Sequence, residues 1–171
     1  AFGSLFDNKR NCVLSGPALE DALMAAGQSP DWVVRCLMVA PDWAYLYDTI
    51  VPSALVAMDE VFARHDAAVI DGLNMKEVNM RIRALGLVDR YKAPITPGLQ
   101  KALEKLLVGS SKAVREEVEK FLVGRTDAKQ KALVSAEEFL KSGASSQSLV
   151  AVDILSRWEP DRAVKVFGEL L

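Results

Sequence analysis

Histidine, cysteine and long apolar runs are all scarce in this sequence. His65 is the only histidine, and Cys12 and Cys36 are the only cysteines. There is therefore no second imidazole for a metal cluster, no set of four ligands for a structural zinc site and no disulfide framework. Two reduced, mostly buried thiols are expected. No apolar stretch approaches the roughly 20 residues that cross a bilayer, because Arg35, Asp42, Asp48, Asp59 and Glu60 interrupt the richest region. The chain is expected not to span a membrane. Strand signals are absent as well, so a sheet-based fold is not expected.

Charge of one sign is also missing overall, with a net charge of −2 at pH 7 and a pI near 5.5. That balance conceals an asymmetry. Residues 1–70 hold 4 Lys/Arg against 9 Asp/Glu, whereas residues 76–131 hold 13 against 7. A polyanion-facing surface would have to lie in the later segment, although charge spread over several helices reads first as a solvated face. The 50% hydrophobic and 26% charged composition over 171 residues is that of an ordinary globular domain with a real core.

What the sequence does contain is helix punctuation. The tripeptide Pro-Asp-Trp occurs at Pro30 and again at Pro41. Proline suits the first turn of a helix, and an aspartate there meets unpaired backbone N–H groups, so each copy reads as a helix start. Ser29 can cap the first of these helices, and Gly27 can close the one before it. "SGPALEDALMAAG" reads as a helix of about ten residues, "PSALVAMDEVFARH" as a helix opened by Pro52, and "MKEVNMRIRALG" as one capped by Asn74 with Glu77 and ended at Gly86. Thr96-Pro97 opens the next helix, with Leu99, Leu103, Leu106 and Leu107 as its stripe and Gly109 as its end. "SSKAVREEVEKFLVG" repeats the design with Val114, Val118, Phe121 and Leu122, and "TDAKQKALVSAEEFLKSG" with Leu133, Ala136, Phe139 and Leu140. Two helices broken near Pro160 finish the chain, the second burying Ala163, Phe167 and Leu170. The expected fold is all-α: about nine short helices stacked as antiparallel hairpins, with residues 1–14 as an N-terminal arm and 15–171 as one domain.

Candidates for chemistry are few. His65 lies at a helix end between Arg64 and Asp66, where a partly exposed histidine is favoured by the helix dipole. "GSSK" at Gly109 lacks the earlier glycine and the preceding strand of a phosphate-binding loop. Asp59-Glu60, Glu116-Glu117 and Glu137-Glu138 read as solvent-facing neighbours on amphipathic helices, not as acid and base. No catalytic residue, cofactor or metal is assigned, and the chain reads as a binding or scaffolding module. For partner contact the candidates are Phe2, Leu5 and Phe6, which belong to no periodic element, and Trp43, Tyr45 and Tyr47, which lie too close together to share one helix face. Seven of the twelve aromatic residues fall in the first 62 positions; most are expected in the core.

"MAAGQSPDW" resembles the junction between pentatricopeptide repeats, and "DRAVKVFGELL", with Ala163, Phe167, Glu169 and Leu170, resembles that repeat's second helix. "VSAEEFLKSG" follows the same pattern with Ser135 in place of alanine. The spacing from Gly109 to Gly143 is close to one repeat. No clean period runs through residues 44–108, so the array is degenerate. The resemblance implies a right-handed α-solenoid. It also raises an alternative function, organellar RNA binding through polar residues on successive first helices, which a short, mildly acidic array is poorly charged to perform. Taken over the whole chain, with its start "AFGSLFDNKRN", the sequence is similar to the extra-subunit family of euglenozoan mitochondrial F1-ATPase. This similarity implies a non-catalytic subunit on the outside of the alpha subunit, on the matrix side of the inner mitochondrial membrane. No nucleic acid would be bound. The start at Ala1 instead of methionine fits either a processed mature chain or an expressed piece.

Overall fold

The computed structural model describes residues 14–39, 55–109, 111–142 and 145–170. These residues form ten helices and one two-residue parallel bridge. In chain order they are β1 (Leu14–Ser15), α1 (Gly16–Ala25), α2 (Trp32–Val39), β2 (Leu55–Val56), α3 (Met58–Arg64), α4 (Asp66–Leu73), α5 (Val78–Arg90), α6 (Pro97–Gly109), α7 (Lys112–Val123), α8 (Thr126–Ser142), α9 (Ser145–Trp158) and α10 (Pro160–Leu170). The all-α expectation is met. The candidate contacts Phe2, Leu5, Phe6, Trp43, Tyr45 and Tyr47 lie outside the described residues, as do Cys12 and the second Pro-Asp-Trp.

Several boundaries follow the local chemistry. α1 closes at Gly27, whose φ of 70° lets its N–H reach the Met24 carbonyl and the Gln28 N–H reach that of Leu23; this is the Schellman closure that glycine favours. The Thr96 hydroxyl accepts the Leu99 N–H at 3.1 Å and donates to Asp66 Oδ2 at 2.7 Å. One side chain thus caps α6 and ties its start to α4. The stripes of α6 and α7 are buried as expected.

Other boundaries differ from the expectations. The helix expected from Pro52 lacks its start, since residues 55 and 56 pair with Leu14 and Ser15 instead. Its end falls at His65 as expected, and His65 (φ −115°, ψ 37°) separates α3 from a further helix, α4, that the sequence did not mark. β1 therefore begins at Leu14, the last residue of the expected arm. α5 starts later than Asn74, with Glu77 at its N-cap making no side-chain cap bond, and it runs through Gly86 to Arg90. Burial of Ala84, Leu85, Leu87 and Val88 on either side outweighs the roughly 1 kcal/mol that glycine costs inside a helix. Its end is another Schellman closure, in which Lys92 takes the left-handed position with φ 52°. Cys36 is exposed, against the expectation of a buried thiol, because Val33, Val34, Leu37 and Met38 occupy the core face of α2. The pair Glu137-Glu138 is not uniformly solvent-facing either: Glu137 is largely covered and accepts a hydrogen bond from Arg162 Nε. On α10 the buried residues are Ala163 and Val166, with Phe167 only half-buried.

Consecutive helices pack as pairs, α4 on α5, α6 on α7, α8 on α9 and α9 on α10. Helices two apart also pack: α4 with α6, α6 with α8, and α5 with α7. At the N-terminal end α1 lies against α2 and α3, and α2 against α4 and α5. One apolar cluster runs from α2 to α9, and a smaller one joins α8, α9 and α10, with Phe139 and Trp158 touching both. Arginines tie neighbouring elements together. Arg35 bridges Asp31 and Asp71, Arg125 reaches Asp89 at 2.9 Å, and Arg157 grips Glu119 through two nitrogens at 2.6 and 2.9 Å.

Candidate partner-binding pocket

The start of α1 approaches α3 closely because residue 16 has no side chain. A Cβ there would sit 2.7 Å from Met58 Sδ and from Val61 Cγ2. One turn further along the same face, Glu20 is carried into the groove between the two helices and buried. Its carboxylate accepts hydrogen bonds from Arg64, Nη2 to Oε2 at 2.5 Å and Nε to Oε1 at 3.3 Å, and lies 2.6 Å from His65 Nε2 through Oε1. A carboxylate at that distance requires the proton on Nε2. Burial alone would raise the Glu20 pKa, but the hydrogen bonds and charges of Arg64 and His65 outweigh it and hold the carboxyl below its ordinary value.

Around this cluster lies a shallow pocket of about 400 Å³ lined by Pro17, Asp21, Met24, Pro30, Glu60 and the Glu20, Arg64, His65 group. Its walls are apolar and its rim is acidic. Glu60 stands 3.5 Å from Arg64 and is mostly exposed, whereas Asp21 has no ion-pair partner among the described residues. Two large apolar side chains flank the pocket in sequence: Met24 on α1 is 53% exposed, and Trp32, two residues beyond Pro30, is 50% exposed. Of the aromatic residues in the first 62 positions, Trp32 and Phe62 are described, the first half exposed and the second buried.

His65 lies between two helices, as the sequence placed it near a helix end, but its ring is largely covered and engaged with Glu20. A carboxylate paired with an imidazole orients the ring as it would in a general base. No serine, threonine or cysteine is among the residues that line the pocket. The arrangement is a tie between α1 and the α3–α4 junction. Among the described residues no group of three or more His, Cys, Asp or Glu is placed to hold a metal ion, and no helix is long and apolar enough to cross a membrane.

The basic segment between Lys76 and Lys131 spreads over α5 to α8, and part of it is neutralised locally. Arg125 and Lys92 pair with Asp89, Lys120 with Glu117 and Lys112 with Glu116. Arg125 also stacks 3.8 Å above the Phe121 ring. The Glu20 cluster carries no signal in the sequence, since only a fold that brings residues 20 and 64 together reveals it. No family model matches this chain, and the comparisons with curated proteins and with solved structures found no match.

Proposed function

We propose that this chain is a non-catalytic accessory subunit of the F1 head of mitochondrial ATP synthase, docked on the outside of the alpha subunit on the matrix side of the inner membrane. Its architecture in this reading is a degenerate pentatricopeptide-like right-handed α-solenoid. The observation that carries the proposal is the next-but-one packing of α4, α6 and α8 alongside α5 and α7. That is how stacked helix hairpins build an extended surface for a protein partner. Exposed Met24 in the pocket wall and exposed Trp32, two residues along the chain from the pocket's Pro30, supply residue types that anchor protein interfaces. The arm residues Phe2, Leu5 and Phe6 and the aromatic residues Trp43, Tyr45 and Tyr47 extend the docking surface in this reading.

Native purification from the source tests the proposal: the chain should co-migrate with the ATPase catalytic subunits, and their absence from its complexes refutes it. The RNA-binding alternative has less support, because acidic neighbours pair with part of the basic segment, at Lys92, Lys112, Lys120 and Arg125. Any association with RNA should vanish between low and about 150 mM salt as counterions compete. Sub-micromolar binding of one RNA sequence at that salt would reverse the ranking.

A further inference from the structure

We infer that the pocket between α1 and α3 receives a lysine or arginine side chain from the protein partner, carried on a segment with apolar neighbours; this rests on the docking role proposed above. Three features fit one occupant. The walls contributed by Pro17, Met24 and Pro30 are apolar and suit the methylene stem of a long basic side chain. At the rim, Asp21 and Glu60 offer carboxylates that the pocket's own cation does not saturate: Arg64 is committed to Glu20 through two nitrogens and meets Glu60 only at 3.5 Å. The described residues of this end of the chain have the matching sign: positions 14–39 and 55–70 hold six acidic residues (Glu20, Asp21, Asp31, Asp59, Glu60, Asp66) against two basic ones (Arg35, Arg64). A cation entering this site exchanges water for two carboxylates beside a low-dielectric wall, where an ion pair is worth more than in the open. Trp32 lies two residues from Pro30 and is half exposed, a suitable apolar anchor for residues flanking that cation.

The test uses the full chain and F1-ATPase from the same mitochondria, stripped of this subunit. Binding of the natural sequence is compared with Asp21→Asn/Glu60→Gln and Asp21→Lys/Glu60→Lys, at low and at physiological salt. Both positions are exposed, so the melting temperature should hold within a few degrees, as surface changes usually allow. The neutral pair should weaken binding by roughly threefold, and the reversed pair by roughly tenfold or more with a flatter salt dependence. If the natural chain binds and both variants bind equally well, the pocket assignment is wrong and the docking role survives. If the natural chain does not bind F1 at all, both fall together. If deleting residues 1–13 strengthens binding of F1, the chain's own Lys9 and Arg10 occupy the pocket and the assignment to a partner is overturned.

Discussion

Replacing Gly72 by alanine should destabilise the protein, while the same replacement at Gly86 should stabilise it. Both glycines lie within helices, near the end of α4 and inside α5, so backbone propensity favours alanine at each, by up to about 1 kcal/mol. The surroundings differ. A Cβ on Gly72 would lie 2.5 Å from Met38 Sδ, 3.1 Å from Ala84 Cβ and 3.3 Å from Met38 Cε. Met38 is 2% exposed and enclosed where α2 meets α4 and α5, so its thioether would have to shift within the core. Overpacking of this kind costs about 1–3 kcal/mol, so Gly72→Ala should lose about 1–2 kcal/mol after the propensity gain. At Gly86 nothing lies within 4 Å of the place a methyl group would take, and the alanine should gain about 0.5–1 kcal/mol. For a domain of this size each kcal/mol moves Tm by about 2–4 °C, which thermal and urea melts followed by circular dichroism resolve. Because the clash lies between two named side chains, Gly72→Ala combined with Met38→Ala should cost at least about 1 kcal/mol less than the sum of the single changes. A neutral Gly72→Ala, or strict additivity in that cycle, would show that α2 and α4 are not packed as described.

Glu20→Gln should remove about 1–2 kcal/mol at neutral pH by leaving Arg64 and His65 without their charged acceptor. Because the folded-state pKa of Glu20 is below its ordinary value of 4.5, the unfolded chain takes up its proton first; the natural protein should lose this stability as pH falls below that value, and a denaturation series from pH 6 to 3 should show a shallower loss in the variant. Lys92→Gly relieves a left-handed residue (φ 52°) at a helix end and should raise stability by about 0.5–1 kcal/mol, measured by urea midpoint; a loss would mean that the lysine side chain supports the turn. Arg157→Lys should cost no more than about 1 kcal/mol, since it gives up the two-pronged grip on Glu119 at a half-exposed site. A much larger drop would make this tie between α7 and α9 a principal support of the stack.

The helices α6 and α7 were fully legible in the sequence because their signals are local. Thr96, Pro97 and Gly109 mark where backbone groups run out of partners, and apolar residues three and four apart define the buried face without reference to the rest of the chain. The all-α class followed for the same reason, as period and punctuation are properties of neighbours in sequence. The separate helix α4 after His65, the passage of α5 through Gly86 and the pairing of Leu14 with Leu55 were not legible. Each is decided by what a residue meets across the fold: a strand partner some forty residues away, or a core that rewards continuing a helix through an unfavourable residue. The pocket follows the same division. Pro17 and Pro30 announced helix starts, but nothing in the sequence marked Glu20, because its burial depends on Gly16 letting α1 descend onto Met58 and Val61. Its charge then depends on Arg64 and His65 arriving from another helix. Electrostatic energy is set by distance in space and by exclusion of water, and neither quantity exists until the helices have packed.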